Sequence, residues 1–162
     1  MALFNLAIDS KLRGCDLVAL KVNDIAHGKS IQSRAILVQK KTGTPVQFEI
    51  TENTRLSLYA LIEQSKLSSS DYLFKSRIQS SDHISTRQYG RIVDNWISTI
   101  GLDHTQYGTH TMRRTKPSLI YKKTKNLRAC QLLLGHRKLE STVRYLGIEV
   151  DDALEVSESI ES

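Results

Sequence analysis

A single β-rich interruption in an otherwise helical pattern is the strongest constraint on how this chain can fold. Apolar residues recur at helical spacing over residues 2–8 and 16–22, with a break at 10–14. They do so again over 52–64, 86–100, 109–121, 127–134, 141–146 and 150–160. Between these stretches, Arg34-Ala-Ile-Leu-Val-Gln and Val46-Gln-Phe-Glu-Ile are β-rich runs. Lys40-Lys-Thr-Gly-Thr-Pro joins them, with Gly43 free to take positive φ in a hairpin turn. One hairpin among many helices predicts an α+β domain, mainly α-helical, with a small antiparallel sheet near its first third. Thr51 is expected to cap the helix over 52–64, and Thr109 the one over 109–121. Gly101 is expected to end the helix over 86–100. Residues 66–71 read as a loop and 72–74 as a short extended piece.

The chain has 162 residues, 40% of them hydrophobic and 25% charged, enough for one real core. No apolar run approaches the ~18 residues of a transmembrane helix, and no signal-like N-terminus is present, so a cytoplasmic protein without membrane contact is expected. Cys15 and Cys130 lie far apart in unlike contexts and read as two separate thiols. Charge is distributed unevenly. Residues 105–146 carry 10 basic groups against 1 acidic, whereas 147–162 carry none against 6, inside a formal net charge of +6. A block so basic is the footprint of a surface that meets phosphates. Phosphate-loop, dinucleotide and zinc-protease motifs are absent, the five His lack metal-ligand spacing, and no acidic cluster suits a two-metal nuclease. No cofactor, metal or small-molecule substrate is therefore expected.

Within the basic block lie Gly108-Thr-His-Thr-Met-Arg-Arg-Thr and Leu132-Leu-Leu-Gly-His-Arg-Lys-Leu-Glu-Ser-Thr-Val-Arg-Tyr-Leu. They hold an H-x-x-R pair (His110, Arg113), an L-L-G-H signature ending at His136, and Tyr145 nine residues later. Upstream are Arg13 in an R-x-x-[D/E]-L context and the turn Lys41-Thr42-Gly43. In this order the five elements resemble the catalytic domain of the tyrosine recombinases, the phage integrase family, over nearly the whole chain.

That resemblance implies a metal-free DNA strand exchange. Cutting a phosphodiester without metal needs charge neutralisation, an activated nucleophile and a protonated leaving oxygen. Arg13 and Arg113 would clamp the non-bridging oxygens with fork geometry. Arg114 lies one helical step, about 100°, from Arg113 and so is not expected to enter the same site. The resemblance further makes Tyr145 the nucleophile, His110 its base and His136 a phosphate donor. It makes Lys41 the general acid for the departing 5′ oxygen, with Lys40 as the adjacent alternative. Asp16 would orient groups that touch the phosphate without touching it. The product would be a 3′-phosphotyrosyl bond with a free 5′ hydroxyl. Arg114, Lys116, Lys122, Lys123, Lys125 and Arg128 are expected to be general phosphate contacts.

Double-stranded DNA is thus the expected partner, with self-association on DNA, a tetramer in the family, and a monomer when free. The 162 residues are expected to form a single catalytic domain without the DNA-binding domain that usually precedes it. The acidic segment 150–160 is expected to dock on a second copy. A type IB topoisomerase and a catalytically silent DNA-binding relic are the alternative readings. Two departures from the family stand out: Ser10-Lys11-Leu12 replaces the usual T-G-x before Arg13, and Pro117 follows His110 by seven residues. Pro117 is expected to kink the helix or to begin a new one near Thr115.

Overall fold

The structure, a computed structural model, describes residues 1–78 and 80–160. Helix α1 (Ala2–Ser10) leads into two four-residue helices, α2 (Gly14–Leu17) and α3 (Val22–Ile25). The single helix expected over 16–22 is therefore absent: its residues divide between these turns, and Lys21 instead bridges Tyr72 in the short extended piece. A two-residue pair, β1 (Ala26–His27) with β2 (Ser30–Ile31), precedes the main hairpin of β3 (Arg34–Val38) and β4 (Pro45–Glu49). In the hairpin Arg34 pairs with Glu49 and Val38 with Pro45. Then follow α4 (Glu52–Gln64), α5 (Thr86–Thr99), α6 (Thr109–Thr124), α7 (Leu127–Leu134), α8 (Leu139–Leu146) and α9 (Val150–Glu158). The mainly helical α+β architecture matches the expectation from the pattern.

One core gathers Leu6, Leu17, Leu20, Ile25, Phe48, Ile50, Leu58, Leu73, Tyr89 and Val93 from the first two-thirds of the chain. Helix α1 lies at its centre, packed on α4 and α6. Alternation along β3 turns Ala35 and Leu37 inward and leaves Ile36 and Val38 exposed. In contrast, α9 buries none of its residues and exposes Val150 and Leu154.

Four charged side chains are tied together beneath this core. Lys11 Nζ, with no exposed side-chain surface, meets both Glu49 carboxylate oxygens at 2.7 Å. Lys116 Nζ meets Glu49 Oε1 and Asp9 Oδ1, each at 2.7 Å. Asp9 Oδ2 accepts from Thr54 Oγ1 at 2.6 Å and from both the hydroxyl and the amide of Thr51. Thr51 stands at the N-cap position of α4 as expected, but its hydroxyl serves Asp9 instead of capping the helix. Thr109 is likewise the first residue of α6 and Gly108 its cap. Burial opposes ionisation of Asp9 and Glu49, yet their hydrogen bonds outweigh it and hold both carboxyls below the ordinary range. Burial also lowers Lys116, but its two carboxylate partners more than reverse this.

Pro117 lies inside α6, which begins at Thr109, so the expected helix start near Thr115 is not what forms. The pyrrolidine cannot donate to the Arg113 carbonyl, but the residue is buried, and its own carbonyl accepts from the Cys130 thiol of α7 at 3.5 Å. Tertiary packing carries the helix through its proline.

Because the folded-state carboxyls of Asp9 and Glu49 titrate below their ordinary values, their stabilisation is full at neutral pH. It is lost as pH falls below the ordinary carboxylate range. Glu49→Ala should strip Lys11 of its paired carboxylate and cost about 3 kcal/mol in denaturant unfolding at neutral pH. The deficit against wild type should narrow in acid; a constant deficit would contradict the charge origin.

Candidate active site

The site is built around one carbonyl. Gly135 ends α7 in the left-handed region (φ 65°), turning the chain so that the Leu134 carbonyl faces the buried end of α6. There Arg113 Nη2 donates to it at 2.8 Å, while Arg113 Nε donates to the Lys11 carbonyl at 2.7 Å. Lys11 presents that carbonyl because it too is left-handed (φ 56°), a conformation natural to the glycine of the family pattern. Lysine accepts it here while its ammonium is held on Glu49. Gln39 Nε2 gives the Leu134 carbonyl a second bond at 3.2 Å, and Gln39 Oε1 accepts from Arg13 Nη1. The two arginines are thereby joined through one carbonyl and one amide.

Tyr145 on α8 closes the other side. The Arg113 guanidinium lies 5.5 Å from its ring centre, and the His136 ring packs edge-on at 5.4 Å. His136 Nδ1 is 3.1 Å from Thr142 Oγ1, a fully buried hydroxyl one helical turn before Tyr145. Burial, then the charges of Arg113 and Arg13, push His136 down to about 4, so it is neutral at physiological pH. Burial raises the Tyr145 phenol, against weaker opposite pulls from Arg113, Arg114 and Arg13. The hydroxyl donates to the main-chain carbonyl of His110 at 3.3 Å, not to its imidazole. His110, Thr111, Arg114, Ser141, Arg144 and Tyr145 line an open cleft of about 380 Å³.

The remaining expected residues divide. Asp16 is buried behind the hairpin: Oδ1 accepts from the Lys40 amide at 2.9 Å, and Oδ2 has no partner among the described residues. Lys40 and Lys41 are exposed on the turn between β3 and β4, closed by Gln39 N to Thr44 O at 3.0 Å. Arg114, Lys122, Lys123 and Arg128 are exposed on α6 and α7, Arg128 bonding Gln131 at 2.6 Å. Lys125 is exposed but pairs with Glu155 at 2.9 Å. Lys116 is the correction: its ammonium is spent on Asp9 and Glu49, so it braces the fold and is no free phosphate contact.

Residues 1–150 match the Phage integrase family. The chain belongs to that family. It is similar to the probable integrase/recombinase YoeC of Bacillus subtilis (strain 168), 31% identical over 92% of this chain and 77% of that protein. Among solved structures, XerA recombinase superposes with a TM-score of 0.76 at 19% identity, over 98% of this chain and 56% of that one. XerH site-specific recombinase bound to difH substrate gives 0.74 at 19%, over 96% and 45%. This integrase-family chain thus has the fold of the tyrosine recombinase catalytic domains and spans about half the length of those two structures.

Sequence reasoning passed over Gln39, Lys11 and Thr142. A polar residue continuing the inward alternation of Ala35 and Leu37 was the available signal for Gln39. For Thr142 it was the three-residue spacing to Tyr145 on one helix. Nothing local marks Lys11, whose partner is 38 residues away.

An NMR titration should find the His136 imidazole still neutral as pH falls through the ordinary value of 6.5, with protonation near about 4. A midpoint near the ordinary value would contradict the buried, arginine-flanked setting. Gly135→Ala should destabilise by about 3 kcal/mol, measured by denaturant unfolding, because the new Cβ would meet Val46 Cγ1 at 2.3 Å with φ held positive.

Proposed function

We propose that this chain cuts and rejoins double-stranded DNA through a covalent tyrosine intermediate, as a site-specific recombinase or integrase. The observation that carries the reading is the convergence of Arg13, Arg113, His136 and Tyr145, drawn from four separate segments, on one face, with no carboxylate cluster that would hold metal among the described residues. Among the described residues Arg13 has one of its five N–H donors engaged and Arg113 two, leaving the remainder to bind non-bridging phosphate oxygens. Neutral His136, with Nδ1 turned to Thr142, offers Nε2 to the same phosphate. That placement stabilises charge as it accumulates on the pentacoordinate phosphorus.

In the step itself the Tyr145 oxygen attacks phosphorus, the bond to the 5′ oxygen breaks, and a 3′-phosphotyrosyl ester forms. The phenolic proton must leave, since Tyr145 is held above its ordinary value. His110, which lines the same cleft, is the base that the family resemblance implies, and its imidazole would have to take the place of the main-chain contact. The departing 5′ oxygen takes a proton from Lys41 on the hairpin turn. The ester keeps the energy of the broken bond, so a 5′ hydroxyl of a partner strand reverses the step and rejoins DNA. Arg114, Lys122, Lys123 and Arg128 would carry the duplex backbone. The exposed apolar side of α9 would rest on a second copy assembled on DNA.

A nicked suicide duplex taken from DNA flanking the gene provides the test. Wild type should give a covalent adduct resolved on a denaturing gel, and Tyr145→Phe none. An adduct from the Phe variant, or none from wild type despite binding, sinks the reading; relaxation of supercoils without exchange between duplexes would replace it by a topoisomerase. Lys122→Ala should weaken DNA binding and lower the slope of log affinity against log salt by about 1.

A further inference from the structure

Gln39 is a glutamine only 1% exposed, at the place where three segments of the proposed site meet. Its main chain closes the turn that carries Lys40 and Lys41: its amide donates to Thr44 O at 3.0 Å, and its carbonyl accepts from Gly43 N at 2.8 Å. Its side chain turns the other way. Oε1 uses both lone pairs, on Arg13 Nη1 and on Thr42 Oγ1 at 3.0 Å. Nε2 donates to the Leu134 carbonyl, the acceptor that also receives Arg113 Nη2. Among the described residues no other acceptor meets the Arg13 guanidinium. Arg13 thus hangs on one neutral oxygen.

The chemistry of an amide suits this place. A carboxylate would bind Arg13 strongly and cancel the charge that a phosphate needs, and it could not donate to Leu134. An apolar side chain would leave Arg13 free to rotate among its rotamers. A neutral acceptor orients the guanidinium while preserving its full positive charge for another ligand. The surroundings are shaped to admit this side chain. A Cβ at position 135 would come within 3.1 and 3.2 Å of the Gln39 amide atoms, so the glycine of the L-L-G-H signature leaves room for it.

We propose that Gln39 is a positioning residue for DNA cleavage. Its oxygen aims Arg13 at the scissile phosphate, and its amide nitrogen, through the shared Leu134 carbonyl, keeps Arg13 in register with Arg113. The assignment rests on the phosphotyrosyl reaction proposed above and acts through the arginine clamp, not through the general acid on the adjoining turn.

Three versions of the nicked flanking-DNA duplex separate these roles. One has the ordinary scissile phosphate. The second has a methylphosphonate, which lacks the charge of one non-bridging oxygen and so needs less from an arginine. The third has a 5′-bridging phosphorothiolate, whose sulfur leaves without a general acid. On ordinary phosphate Gln39→Met should cleave about 100-fold more slowly than wild type, the scale of a misplaced catalytic group. The deficit should shrink at least about tenfold on methylphosphonate and persist on phosphorothiolate. Gln39→Glu, close to isosteric, should show the same narrowing because its carboxylate neutralises Arg13; it serves if the Met variant does not fold.

An equal deficit on all three substrates would make Gln39 a purely structural residue and overturn the proposal. Recovery on phosphorothiolate alone would move its action to Lys41 and also overturn it. Arg13→Ala must itself recover on methylphosphonate. If it does not, although wild type forms the adduct, the clamp role of Arg13 is wrong and the Gln39 proposal falls with it. If wild type forms no adduct, the reaction itself is wrong and both are withdrawn.

Discussion

The Leu134 carbonyl is the point on which the site depends. It accepts from Arg113 and from Gln39 at once, and through them reaches the start of the chain, the hairpin and the segment that carries His136. A helix normally leaves its last carbonyls without partners. Here the left-handed Gly135 exposes one of them to two buried donors, so a helix end becomes the anchor for a charge cluster. The arrangement tolerates no Cβ at position 135 because Val46 and Gln39 fill the space from the hairpin side.

Burying Arg113 and Lys11 in one region demands compensation, and the two are compensated differently. Lys11 has a carboxylate, Glu49, and through it joins Lys116 and Asp9 in an internal network spanning α1, β4 and α6. Arg113 is given carbonyls alone among the described residues. Neutral partners accept two of its hydrogen bonds without cancelling its charge, the division that the proposed phosphate clamp requires. The same contrast separates Lys116 from Lys122 and Lys123, which look alike along the basic block. Lys116 is spent on holding the fold, while the other two remain exposed to solvent.

The arginines also set the states of their neighbours. They add to burial in keeping His136 neutral, and they work against burial at Tyr145 without overcoming it. A neutral imidazole and a protonated phenol are thus the resting state of the face. A phosphate entering between the guanidiniums would offset their charge and alter both. The contact of the Tyr145 hydroxyl with the His110 carbonyl holds it at the edge of the cleft.

Periodicity alone located every long helix, the single main hairpin and its turn, because those signals depend on neighbours three, four or two residues away. Motif order along the chain likewise marked Arg13, Lys41, His110, Arg113, His136 and Tyr145 as one set. Spacing failed where distant contacts decided the outcome. The expected helix over 16–22 gave way to pairing with Tyr72, and Pro117 was carried inside a helix by packing against α7. Lys116 was drawn from the basic surface into an ion pair with a residue 107 positions away. Gln39 and the left-handed Lys11 acquired their roles from partners distant in the chain, 26 and 95 residues from Gln39 and 38 and 102 from Lys11. The sequence by itself determined which chemical groups were present and on which elements they stood. Only the tertiary structure decided which charges would be neutralised internally by carboxylates and which would face carbonyls, an amide or solvent, because that choice depends on which residues lie across the core.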